Sequence, residues 1–256
     1  MGEDKTSLYR LSTGVPITSL TSFHSPIDEY RAAFDNRADL FLNYFAIQDR
    51  EVKKFSLIRG KFWDLACSAA TYLSEQGLVK SDRVVHCFLQ NSLYDLVFRL
   101  AAILVGCVPV TINWQADDID GIVYKATVTD SKLVLYNRDF ANHVAEMKPR
   151  LRGKAFFEAE EIELHPLSSG FTSPELSYDD EKMIIFTSGT TARPKGVSLS
   201  HRSYLANRLT FEQYFGISET TKLDLLLTNP LHHSNSTALS DWGMRRPGAR
   251  IHLLQR

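Results

Sequence analysis

The sequence predicts an α/β fold of mostly parallel sheets flanked by helices. Three observations carry that expectation. Between residues 61 and 157, short apolar runs alternate with helix-period segments of about a dozen residues, the pattern of βαβ units. A separate apolar run, Met183–Phe186, opens abruptly into a hydroxyl-rich loop and is followed by a second alternating stretch, Val197–Leu199. The composition is 44% hydrophobic and 23% charged over 256 residues, enough apolar material for one or two cores.

Taken in order, residues 1–25 are rich in Ser, Thr and Gly and read as a loosely held arm. Asp28–Asn36 reads as a short helix, and Leu40–Asp49 as either strand or helix. From Lys61 the spacing of Phe62, Leu65, Ala66, Ala69 and Leu73 places one apolar stripe on a helix that ends at Gly77, a good C-cap. Arg83–Leu89 is strand-like. Asn91 or Ser92 then caps a helix whose stripe is Leu93, Leu96, Val97, Leu100, Ile103 and Leu104, stopping at Gly106. Val108–Ile112 is a strand expected to begin at or just after Pro109, because proline cannot donate to a ladder. Helices at Asp117–Thr127 and Asp139–Arg150 alternate with strands at Lys132–Tyr136 and Ala155–Phe157.

Residues 164–178, with two prolines, a glycine and several hydroxyls, read as a loop. It divides a first α/β subdomain, 26–163, from the start of a second, 179–256. His201–Phe215 is a helix with Leu205, Leu209 and Phe215 facing inward, and Leu223–Leu227 and Ile251–Leu254 are strands.

Several functional classes are disfavoured by composition. A net charge of −1 without a basic stripe offers no nucleic-acid footprint. No run reaches the roughly 18 apolar residues of a transmembrane helix, and no secretory signal pattern is present. Met1–Thr6 fits the loose myristoylation pattern. Cys67, Cys87 and Cys107 lie far apart in apolar surroundings, as small buried hydrophobes of a reducing, cytoplasmic compartment.

Chemistry concentrates in two places. Thr187, Ser188, Gly189, Thr190 and Thr191 set four hydroxyls around one glycine, so backbone N–H groups and hydroxyls can line an anion site. Pro194 stiffens the loop and Lys195 adds a point charge suited to a polyphosphate. This is not a Walker A loop, because Lys195 precedes Gly196 and a strand follows. The second place is Thr228–Thr237, where a strand delivers His232, His233 and several hydroxyls to its carboxyl end, the usual place for a ligand crevice in an α/β protein.

The order F-T-S-G-T-T-A-R-P-K-G over Phe186–Gly196 resembles the signature loop of the adenylate-forming superfamily: acyl-CoA synthetases, aryl-CoA ligases, luciferases and the adenylation domains of peptide synthetases. Ala192 stands where that family usually has Gly. The helix–Gly–strand–Asn-Ser–helix arrangement of Lys61–Pro109 is similar to its first subdomain, extending the resemblance from about Phe55 to the C-terminus.

The resemblance implies ATP-dependent activation of a carboxylic acid. The carboxylate attacks the α-phosphorus of ATP, pyrophosphate leaves, and coenzyme A is the thiol acceptor in the complete enzyme. Thr187–Thr191 and Lys195 would hold the β- and γ-phosphates, and Thr190 would meet Mg²⁺. His233 matches the last position of the family's P-L-x-H element beside the substrate carboxylate, with His232 before it and Ser234 after. Lys195 and His233 are thereby the expected catalytic pair. Relatives that activate amino acids place an aspartate near this point; Ser234 and Asn235 carry no charge and Asp241 comes several residues later, so an uncharged acyl or aryl acid is expected.

The family's later motifs and its small C-terminal domain are missing, so the chain is expected to be an incomplete N-terminal portion of that fold, with a missing C-terminal half or a partner chain. Two other readings stay open: a non-catalytic nucleotide-binding or protein-interaction fragment of the same ancestry, and an unrelated small NTPase or kinase. The last needs a metal-holding acid near the loop, and Asp179 and Asp180 precede the strand rather than follow one.

Overall fold

The computed structural model describes residues 20–166, 170–187 and 193–255. The chain begins with α1 (Pro26–Ala33), β1 (Leu40–Gln48), β2 (Glu51–Ile58), α2 (Arg59–Glu75), β3 (Arg83–Cys87), α3 (Leu93–Val105) and β4 (Val108–Thr111). It continues through α4 (Ile119–Val128), β5 (Leu133–Tyr136), α5 (Ala141–Met147), β6 (Ala155–Glu158), β7 (Glu181–Thr187) and β8 (Lys195–Ser200). It closes with α6 (His201–Tyr214), β9 (Asp224–Leu227), α7 (Ser234–Arg245) and β10 (Arg250–Leu254).

Two sheets result. The larger has the order β6-β5-β3-β4-β7-β8 and is parallel except for the β7–β8 hairpin. The smaller, β2-β1-β10-β9, joins the antiparallel β1–β2 hairpin to the parallel strands β10 and β9. Both sheets draw strands from either side of the 164–178 loop, so that loop divides the sequence while the sheets interleave it. Residues 1–19 of the expected arm lie outside the described residues.

Strand alternation builds the layers. Val84, Leu133 and Leu135 pack on one face of the larger sheet with α2 and α3, which in turn meet Leu42, Ile251 and Leu253 of the smaller sheet. Val85, Cys87 and Val134 turn to the opposite face and are covered by Ile122 and Ala126 of α4 and Val144 and Met147 of α5. Helix α3 is capped by Ser92 Oγ, which accepts from the Tyr94 amide, and stops at Gly106 in the left-handed region (φ 81°).

One open reading is resolved, and several expectations are corrected. Leu40–Gln48 is a strand, and a further strand, β2, follows through a two-residue turn in which Asp49 and Arg50 both have positive φ (52° and 64°), the geometry that matches strand twist. Strand β4 already includes Val108, and Pro109 sits within it opposite Val84. The helix expected at Asp139–Arg150 is a 3₁₀ turn at Arg138–Phe140 followed by α5. Phe215 does not face inward: it lies past the end of α6 and is 61% exposed. Ten residues beyond Leu205, it falls about 80° away from that residue's direction on a helical projection. No helix is expected after His233 from the sequence, and Ser234–Arg245 forms α7. No helix among the described residues is long and apolar enough to cross a membrane.

Candidate functional site

The hairpin β7–β8 places Thr187 opposite Lys195 at its open end. Ser188, Gly189, Thr190, Thr191 and Ala192, which join them, lie outside the described residues, and with them the expected Mg²⁺ contact of Thr190. Both flanking side chains are exposed. Thr187 Oγ1 reaches only the Lys195 carbonyl, at 3.5 Å, and Lys195 has no ion pair among the described residues. The descending arm is anchored instead through its neighbours: the Arg193 guanidinium lies 5.1 Å from the Tyr124 ring centroid, and Tyr124 Oη donates to the Pro194 carbonyl at 3.4 Å. Gly196 is required by close approach, since a Cβ there would stand 3.1 Å from Ile184 Cγ2 and 3.3 Å from Phe186 Cζ. The base of the hairpin is thus held by packing, leaving a lysine charge and a threonine hydroxyl unspent at its mouth.

The histidine loop is held from inside the protein. Asn91 donates to the carbonyls of Asn229 (3.1 Å) and Leu254 (3.0 Å) and accepts from the Leu231 amide (2.8 Å). Arg99 Nη2 donates to the Leu231 carbonyl at 2.8 Å. These bonds fix the backbone directly before His232, whose side chain is buried. Burial, then the neighbouring His233 and Arg99, push the His232 imidazole down to about 3, so it is neutral at pH 7. His233 stands exposed immediately before α7 with its ring centroid 4.2 Å from that of His232, and Ser234 opens the helix, also exposed.

Sheet topology brings the hairpin and the histidine loop to one edge. β4 and β7 are parallel neighbours, so the carboxyl end of β4, leading to Trp114, and that of β7, at Thr187, point the same way. Trp114 meets His232 edge-on with centroids 6.2 Å apart.

Sequence reasoning missed the residues beneath this edge. Asp95, His86 and Arg99 form a buried cluster: Asp95 Oδ1 lies 2.8 Å from His86 Nδ1, and Arg99 grips both carboxylate oxygens at 2.9 Å. Burial alone would raise the Asp95 carboxyl, but Arg99 and His86 outweigh it and hold the group down to about 2. An Asp and an Arg four residues apart on an otherwise apolar helix was the available signal.

The remaining acids are engaged elsewhere. Asp241 is buried, takes bonds from Lys182 Nζ (2.5 Å) and Tyr30 Oη, and pairs with Arg245 Nε at 2.9 Å. Asp180 pairs with Lys80 at 2.7 Å and Asp179 with Arg202 at 2.6 Å. Among the described residues no three His, Cys, Asp or Glu side chains are grouped to hold a metal ion.

Comparison with known proteins agrees with this architecture. Tyrocidine synthase 1 of Brevibacillus parabrevis is 24% identical over 213 residues, covering 82% of this chain and 18% of that protein. ATP-bound MatB from Rhodopseudomonas palustris superposes with a TM-score of 0.72 at 23% identity, over 88% of this chain and 44% of MatB. O-succinylbenzoate coenzyme A synthetase (MenE) from Bacillus subtilis, in complex with AMP, gives 0.74 at 17% identity over 90% and 55%. The chain therefore spans about half or less of the proteins it resembles, and the fold it shares with them is that of the N-terminal domain of adenylate-forming enzymes. The sequence model described as AMP-binding enzyme matches residues 34–256, and the chain belongs to that family.

Proposed function

We propose that this chain is the ATP-gripping part of a ligase that activates an uncharged acyl or aryl acid as its adenylate, with pyrophosphate as the other product and coenzyme A as acceptor in the complete protein. The observation that carries the reading is the exposed Lys195, free of ion pairs among the described residues, opposite Thr187 on the sheet edge that also leads to the histidine loop. An ammonium with no ion pair among the described residues and a hydroxyl with one long contact fit the oxygens of a triphosphate. Thr187–Thr191 would surround the β- and γ-phosphates, with Thr190 on the Mg²⁺ that accompanies them. The chemistry is chiefly positioning and charge neutralisation, because two anions must meet.

His233, exposed beside its buried neighbour, would orient the acid, with His232 and Ser234 flanking it. The uncharged acid is favoured because Asp241 is already spoken for by Lys182, Arg245 and Tyr30 and is not available to an ammonium. Three free thiols suit a reducing cytoplasm.

Calorimetry of the purified chain with ATP and Mg²⁺, alongside carboxylate-dependent pyrophosphate release, tests the reading. Saturable ATP binding that Lys195→Ala weakens is expected. Equal affinity in wild type and variant would remove the loop assignment, and binding without pyrophosphate would identify a nucleotide-holding unit that depends on further chain for chemistry.

A further inference from the structure

Below the histidine loop lies a small cavity lined by His86, Asp95, Arg99, Trp114 and His232, of about 10 Å³. Its place in the fold is distinctive. The chain leaves β3 for β4 on one side and then returns past it to β5 on the other, so the winding reverses between β5 and β3, and β3 borders the cavity. The cavity also touches Phe88 and Gln90 beyond β3 and Ile112 beyond β4, placing it at the carboxyl ends of those strands, where open α/β sheets bind ligands.

Three of its lining side chains carry buried polar atoms with no hydrogen-bond partner among the described residues: His86 Nε2, Arg99 Nη1 and both ring nitrogens of His232. Their residues are 4%, 3% and 8% exposed, so bulk solvent does not satisfy them. A buried polar atom left unpaired is costly, so these atoms call for a partner.

We infer that this cavity is a binding site for one water molecule, shared by Arg99 Nη1, His86 Nε2 and the ring of His232. Donor and acceptor roles close around it. Asp95 is ionised and only accepts, so His86 Nδ1 carries the proton shared with Asp95 Oδ1 and leaves Nε2 as an acceptor. Arg99 Nη1 only donates. A water accepting from Arg99 and donating to His86 keeps one hydrogen and one lone pair for His232. The volume fits a single water and excludes sulfate or phosphate.

Charge rules out the other small occupants. The Arg99 guanidinium is already neutralised by its two bonds to Asp95, so a buried anion would find no spare positive charge. A metal ion would find two neutral imidazoles but also that same guanidinium. The water does for the His232 ring what Arg99 Nη2 does for the Leu231 carbonyl: it ties the loop to α3. Because the rings of His232 and His233 are 4.2 Å apart, a fixed His232 ring is the surface against which His233 rests, and His86 and Arg99 become positioning residues for the pair. The inference depends only on the folded chain and stands apart from the ATP reading.

A crystal structure of the chain, with ring ¹⁵N spectra of labelled histidines, tests it. One water-sized density peak within hydrogen-bond distance of Arg99 Nη1 and His86 Nε2 is expected, with His86 as the Nδ1–H tautomer and a cross-peak between bound water and a His232 ring proton. In His86→Leu that cross-peak is lost and the His232 resonances move. A dry cavity, density larger than water, the Nε2–H tautomer at His86, or unchanged His232 signals in His86→Leu would each overturn it. Should His86→Leu not fold, the wild-type density and tautomer decide alone. ATP affinity enters none of these readouts.

Discussion

The Arg99 guanidinium donates to the Leu231 carbonyl at 2.8 Å while holding both oxygens of Asp95, four residues earlier on the same helix. One fully buried cation therefore links the first half of the chain to the residue before His232. Removing it should be costly, because Asp95 would remain ionised in an apolar helix interface with only His86 as partner. Breaking a buried pair by deleting one member costs about 3–5 kcal/mol, so Arg99→Met is expected to lower the urea unfolding midpoint steeply. Replacing both charges costs much less, and Asp95→Leu/Arg99→Met should recover most of the loss. A double variant as unstable as the single would show that packing, not the stranded charge, sets the penalty.

Acid should weaken the fold in two stages. His86, His201 and His232 are buried, and burial, foremost among the causes, lowers all three below the ordinary histidine range. A depressed histidine favours the fold above its unfolded value, about 6.5, and that stability is lost as pH falls, because the unfolded chain takes up protons the folded chain refuses. Each contributes up to about 1.4 kcal/mol per pH unit below that point. Asp95, held down to about 2, adds a further loss below about pH 4, as the unfolded carboxyl becomes protonated first. Urea midpoints are expected to fall from pH 7 to pH 5, with His201→Gln showing a shallower slope than wild type. A flat profile between pH 7 and 5 would mean the imidazoles are protonated in the folded state.

The βαβ core was legible because its strands and helices obey one period each. Leu96, Val97, Leu100 and Ile103 line a helix stripe, and Val84, Val85 and Cys87 alternate between two covered faces. What escaped has a physical reason in each case. Strand β2 is exposed along nearly its whole length and its turn is Asp49-Arg50 rather than Asn-Gly, so neither burial nor turn chemistry announces it. Helix α7 buries Ser236, Thr237, Ser240, Asp241 and Arg245, polar groups that leave no apolar stripe to read. In the candidate site, Thr187, Lys195 and the two histidines could be picked out because they cluster beside short apolar runs and match the family's motifs. The Asp95–Arg99 spacing was visible, but what Asn91 and Arg99 hold was not, because their roles depend on carbonyls more than a hundred residues away.

Gly243 offers a test of how α7 seats on the smaller sheet. A Cβ at that position would stand 2.7 Å from Ile251 Cγ1 and 2.8 Å from its Cδ1, and Ile251 is itself fully buried on β10. Helix propensity favours alanine over glycine by about 1 kcal/mol, yet overpacking costs typically 1–3 kcal/mol. The steric cost should win, and Gly243→Ala is expected to be destabilising by thermal and urea unfolding. Adding Ile251→Ala removes both Cγ1 and Cδ1, so the double variant should be destabilised by less than the sum of the two single changes. A fully additive loss would mean that the helix lifts from the strand rather than colliding with Ile251.

Lys195 and His233 should separate nucleotide binding from acid handling. Lys195 is exposed and makes no ion pair among the described residues, so Lys195→Ala should change stability by no more than about 0.5 kcal/mol. Hydrogen bonds to charged groups contribute about 1.5–3 kcal/mol, which predicts roughly 10- to 150-fold weaker ATP binding by calorimetry. Lys195→Arg keeps the charge but presents it as a wide planar fork, and an intermediate loss is expected. His233 is exposed, and His233→Ala should leave ATP affinity near wild type while impairing carboxylate-dependent pyrophosphate release. The contrast matters more than either number. If the two variants lose ATP affinity equally, the hairpin and the histidine loop contact one ligand group rather than two, and the division of labour between phosphate and carboxylate does not hold.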